Sequence, residues 1–172
     1  MNATCVNRKS AGKNAMEMAA VVLCAIAAIL FLMRSGLFGG AKLRLIDADT
    51  GEQYAAYSVE EGDLFSVSFL HSVNKSLVKE TYRISLDENM IFVESCEYSA
   101  FGAGVATQVE EGQTLSYTPE GHMLLSGIHQ KIPHLSYIVG TVYDHILEIH
   151  GQQINLRELC GKNSTVSFVL AN

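Results

Sequence analysis

His71 and Glu80 are the side chains whose types and placement first suggest chemistry. They lie in the stretch Leu64–Leu86, where Leu64–Ser72 and Val78–Leu86 read as two strands closed by Asn74-Lys75-Ser76-Leu77. Opposing the strands about that turn pairs His71 with Glu80, Phe69 with Tyr82, Val67 with Ile84 and Phe65 with Leu86. One face then carries Phe65, Val67, Phe69, Tyr82, Ile84 and Leu86, with His71 and Glu80 at its end. The other carries Ser66, Ser68, Thr81, Arg83 and Ser85. A slip of one residue would mix the two sets, so the pattern predicts this hairpin and an imidazole–carboxylate pair at the rim of its apolar face.

Such a pair can cap the face through a charge-assisted hydrogen bond, or recognise a ligand together with Ser72 and Lys75 on the loop. A hydrolase using His71 and Glu80 is the alternative. It is disfavoured because adjacent strand residues such as His71 and Ser72 point to opposite faces, and a Ser–His–acid relay needs them together. Metal chemistry finds no support either. His129 and His134, and His145 and His150, stand five apart, on opposite sides of an extended strand, and HExxH and CxxC motifs are missing. No metal and no cofactor is expected.

Phe101-Gly102-Ala103-Gly104 is a second candidate. Its glycines permit positive φ and let the backbone approach a ligand or another chain. No helix follows to present its N-terminus, so a dinucleotide or P-loop site is excluded. A bulged strand connection is the plain reading. The functional one is that Phe101, Gly102 and Gly104 join His71, Ser72 and Glu80 in one recognition edge.

The elements that must position these residues are short strands. Lys42–Ile46, Gln53–Val59, Leu64–Leu70, Val78–Leu86, Met90–Tyr98, Thr114–Tyr117, His122–Leu125, Ser136–Val142, His145–Ile149, Gln153–Leu156 and Val166–Leu170 alternate or run apolar between turn clusters. One helical turn is expected around Leu156 and Leu159. The pattern predicts an all-β domain over 42–172, an antiparallel sandwich or barrel.

Before it, Ala19–Met33 is an unbroken apolar run behind Arg8, Lys9 and Lys13. Fifteen residues make roughly 22 Å of helix, extensible on both sides to approach the ~30 Å hydrocarbon core. The reading is a basic cytoplasmic tail (1–14), a single transmembrane anchor or uncleaved signal (15–38) and an extracytoplasmic domain (42–172). A cleaved signal peptide competes, with Gly39-Gly40-Ala41 as small residues for a peptidase, but Arg34 and Glu17 flanking the run argue against cleavage. Of the eighteen acidic residues only Glu17 precedes position 42, and residues 42–172 hold eight basic ones against seventeen acidic. That balance argues against nucleic acid as a partner. Cys96 and Cys160 would share an oxidising space, so one disulfide and two buried thiols both remain open.

His71-Ser72-Val73, Val78-Lys79-Glu80-Thr81-Tyr82 and the Phe101–Gly104 loop, in that order, resemble a bacterial family catalogued as domain of unknown function 1850, with its HSV…PVxE core and FGAG-like loop. The likeness covers roughly 42–130, and Leu77 stands where that family has proline. The resemblance implies a small exported or anchored protein, encoded beside tripartite ATP-independent periplasmic transporters of the TAXI type. It implies in turn a non-enzymatic accessory or binding role, with a transporter subunit or a solute-binding protein as partner.

Overall fold

A computed structural model of the chain describes Met18, Val22, Ile26 and residues 40–71, 75–99 and 109–171. The chain divides into two compact units, Met1–Gly40 and Ala41–Asn172. In the first, Met18, Val22 and Ile26 are helical and exposed. The remainder of the expected anchor at 15–38 lies outside the described residues. No helix among the described residues is long and apolar enough to cross a membrane.

The second unit is all-β, as the alternation predicts. Among the described residues eleven strands run β1 Lys42–Asp47, β2 Gln53–Ser58, β3 Leu64–Leu70, β4 Leu77–Ser85, β5 Met90–Tyr98, β6 Thr114–Tyr117, β7 Met123–Ile132, β8 Leu135–Ile138, β9 His145–Ile149, β10 Gln152–Asn155 and β11 Thr165–Ala171. One short helix, α1, spans Leu156–Cys160, where a helical turn was expected. The strands form a four-stranded sheet, β2-β1-β11-β8, and a seven-stranded sheet, β10-β9-β3-β4-β5-β7-β6, with every pairing antiparallel.

The two sheets bury one common core. Leu43, Leu45, Val166 and Phe168 from the smaller sheet meet Phe65, Val67, Ile84 and Leu147 from the larger. Phe65 stacks on Phe168 at 5.6 Å between ring centroids and on Tyr82 at 5.1 Å. This is the sandwich solution to hiding one apolar face per sheet.

Two strands differ from expectation. β7 runs on to Ile132 because Gly127, at φ +73°, sits in a register shift of the β5–β7 ladder. A Cβ there would stand 2.6 Å from the Gly112 carbonyl oxygen, so the close approach requires glycine. β8 stops at Ile138, and residues 139–144 form a loop instead of continuing the strand.

The β3–β4 hairpin keeps the predicted faces but not the predicted partners. Phe65 opposes Tyr82, Val67 opposes Glu80, Phe69 opposes Val78, and Leu70 opposes Leu77. Relative to the expected register the strands are displaced by four residues in total. An even displacement returns every side chain to its original face, so alternation cannot exclude it. Leu77 enters the ladder, and the His71 N–H donates to the Ser76 carbonyl at 2.9 Å to close the loop. At the other end, Ile84 continues the same register by accepting from the Gly62 N–H and donating to the Asp63 carbonyl, both at 2.9 Å.

Candidate functional site

The displaced register separates the predicted pair. Glu80 lies four residues beyond Ser76, the residue facing His71, or about 13 Å along the strand. A relay or ionic cap built on His71 opposite Glu80 therefore has no geometric basis. Ser72, Phe101, Gly102 and Gly104 lie outside the described residues. What the fold brings together instead is His71 with residues of β3, β8 and β9, while Glu80 serves the interior behind them.

Phe69 on β3 opposes His145 on β9, and their rings stack at 5.0 Å and 19°. Tyr137 on β8 packs edge-on against Phe69 at 6.0 Å and lies tilted to His145 at 5.9 Å. In front of Phe69 and His145 opens a cavity of about 440 Å³, lined also by Leu70, His71, Lys75, Ile138, Gly140, Thr141, Val142 and Tyr143. That volume is in the range of small-molecule sites. At its lips Leu70, Ile138 and Val142 are 39%, 69% and 71% exposed, a cluster of large aliphatic groups turned to solvent. The Lys75 ammonium lies over the Tyr143 ring, 4.8 Å from its centroid, in a cation–π contact at the wall.

The lining loop 139–144 is tied down at each end. At its start the Val139 N–H donates to the Ser164 carbonyl at 2.9 Å, and the Val139 carbonyl accepts from Asn163 at 3.0 Å. At its end Arg157 of α1 forms an ion pair with Asp144 and donates to the Thr141 carbonyl at 3.2 Å. Arg157 is in turn placed by the α1 cap, where the Asn155 side chain accepts from its N–H at 3.0 Å. Gly140 lets the loop fold back, since a Cβ there would meet the Tyr143 carbonyl at 2.8 Å and the His145 ring at 3.4 Å.

The Gly140 N–H donates to His145 Nδ1 at 3.4 Å. A neutral ring accepting at Nδ1 must carry its proton on Nε2. Burial lowers the His145 pKa below its ordinary 6.5, against smaller opposing pulls from Asp144 and Glu80. His122, His129 and His150 are engaged by Glu97, Glu94 and Asp63 respectively. Among the described residues no three His, Cys, Asp or Glu side chains converge as metal ligands.

Behind the Tyr137 ring lies a half-buried polar knot. The Tyr137 hydroxyl donates to Glu80, the Tyr82 hydroxyl donates to the same carboxylate oxygen at 3.0 Å, and the two hydroxyls are 2.5 Å apart. Burial pushes both tyrosines far above their ordinary value, followed by Glu80 at Tyr82, where the Tyr137 hydrogen bond opposes the shift, and by the Tyr82 phenol and Glu80 at Tyr137, so both remain donors. Cys96 faces Glu80 across β4 and β5. Cys96 and Cys160 are both buried and unbridged, and burial pushes each thiol up to about 11. Neither is a ready nucleophile.

Sequence reasoning placed Phe69 in the core and missed Tyr137, Gly140, Val142, Tyr143 and His145. The available signal was Gly140 inside the run Ser136–Val142, since a glycine within a strand pattern marks a bend or a close approach.

No curated protein and no solved structure matches the chain. The family model described as Domain of unknown function (DUF1850) matches residues 65–156, a stretch that runs from β3 through β10 and includes every residue lining the cavity. That match spans more than half of the 172 residues, and the protein belongs to the DUF1850 family.

Proposed function

We propose that the protein is a membrane-anchored, extracytoplasmic binding module, non-enzymatic, acting as an accessory to a tripartite ATP-independent solute transporter. The cavity between β3, β8 and β9 carries the binding half of this reading. It combines ligand-sized volume, aromatic and aliphatic walls and a few polar groups, as binding sites do. The non-enzymatic half is supported by the thiols of Cys96 and Cys160, which are buried and pushed up to about 11 and so are poor nucleophiles. The anchor rests on the apolar run Ala19–Met33 behind basic residues. The transporter association rests on family resemblance alone.

Affinity capture of the full-length chain from native membranes tests the accessory role. A subunit of such a transporter, or its solute-binding protein, should copurify in stoichiometric amount. Capture of the chain without any transporter component would overturn that role.

A further inference from the structure

We propose that the cavity between β3, β8 and β9 binds a small organic monocarboxylate with an apolar body. This rests on the binding-module reading and adds to it the chemical class of the ligand.

The first argument is charge. Seventeen acidic residues follow position 42, yet none lines the cavity. Its ionisable lining is Lys75, His71, His145 and the Tyr143 phenol. Asp144 belongs to the lining loop but is drawn off by Arg157 and does not line the space. An anion entering an otherwise acidic domain meets here a wall that attracts it, at the ammonium of Lys75.

The second argument is the apolar remainder. Phe69 and the stacked His145 ring form one wall, while Ile138 and Val142 extend the apolar surface outward. These groups gain from covering a hydrocarbon or aromatic body and offer nothing to a fully polar ion such as phosphate. His145, with Nδ1 accepting from the Gly140 N–H, carries its proton on Nε2. One cationic end and one apolar end within 440 Å³ suit a single carboxylate on a body of about six to twelve carbons. The second hollow, about 360 Å³ and lined by Ile46, Met90, His134 and Phe168 among others, has no Lys or Arg in its wall. It serves as an internal comparison.

The test uses the full-length chain in lipid nanodiscs, with empty nanodiscs as the blank, titrated by calorimetry. The probes are phenylacetate, 4-methylvalerate and octanoate, each beside its primary amide, with acetate as the acid lacking a body. At least one of the larger acids should bind saturably, about tenfold tighter than its amide. Lys75→Gln should remove that tenfold preference. Ile138→Asn and Val142→Asn, both at exposed positions, should weaken acid and amide alike while leaving the thermal melt unchanged. Equal affinity for acid and amide, both lost in Val142→Asn, would overturn the anion assignment and leave the cavity as a binding site. If no acid and no amide binds, this inference and the cavity reading beneath it both fail.

Discussion

The hydroxyl of Tyr137, on the outermost strand of the small sheet, donates to the carboxylate of Glu80 in the middle of the large one. Together with the contact between the Tyr82 and Tyr137 hydroxyls, this bond joins the two layers of the sandwich through polar groups beside their apolar core. It also sets the aromatic edge against which Phe69 and His145 pack. Glu80 is thus structural to the site without lining it.

Replacing Glu80 with Gln therefore tests an interior role. The amide keeps an oxygen that can accept but carries no charge, so the two phenols exchange charge-assisted hydrogen bonds for weaker neutral ones. A loss of about 1–3 kcal/mol is expected in urea denaturation. Tyr137→Phe removes a single donor and should cost about 1 kcal/mol. A Glu80→Gln protein as stable as the parent would contradict the knot.

The hairpin faces give a second expectation. Phe65 is 1% exposed and stacked on both Tyr82 and Phe168, so Phe65→Ala should destabilise by about 3–5 kcal/mol. Ser68→Ala, on the opposite face, should change stability by less than about 0.5 kcal/mol. The displaced register can be read directly by engineering cysteines at Val67 and Glu80, which should cross-link, and at Val67 and Ile84, which should not.

The clamp on the cavity loop is separable from the fold. Arg157→Ala frees Asp144 and the Thr141 carbonyl, so amides in 140–144 should exchange hydrogen faster while the core strands keep their protection. Unchanged exchange in that loop would show that Val139 and Gly140 alone hold it.

Acid should weaken the domain partly through His145. Its folded pKa lies below 6.5 because the ring is buried, so below pH 6.5 the unfolded chain takes up a proton that the folded one refuses. Stability falls as pH drops from 6.5 to the folded pKa and changes no further from this group below it. His145→Gln retains an acceptor for Gly140 and cannot titrate, so its urea midpoint should fall less than the parent's between pH 7.5 and 5. Asp47 acts in a lower window. Hydrogen bonds from Tyr54, Thr50 and Asp49 bring its pKa down from 3.8 to about 2, and the stabilisation they give is lost as pH falls through that interval.

Topology gives the last expectation. The basic leader and the apolar run predict that a reporter active only outside the cytoplasm works when fused after Asn172, and that the chain stays in membranes through a high-salt wash. Release of a soluble product beginning near Lys42 would show a cleaved signal instead.

The sequence by itself determined the all-β class, most strand positions, the helical turn at Leu156–Cys160 and the inward face of β3 and β4. Each follows from short-range information: side chains alternate with period two, and Asp, Gly and Asn clusters break the runs. The identity of cross-strand partners is not short-range. Phe65 falls on the same face whether it opposes Leu86 or Tyr82, so the pattern alone allowed a His71–Glu80 pair that tertiary packing forbids. The choice was made by Leu77 entering the ladder, by the bond from His71 to Ser76, and by residues 62–63 extending the pairing with Ile84. The cavity was still less legible, because its walls come from β3, from the distant β8 and β9, and from a loop between them that reads largely as strand. Phe69, Tyr137 and His145 look like ordinary core residues until the two sheets stack. In the stacked sheets β8 ends at Ile138, Val139 is buried in the core, and Thr141 and Val142 stand exposed beside a pocket where an apolar run had been expected.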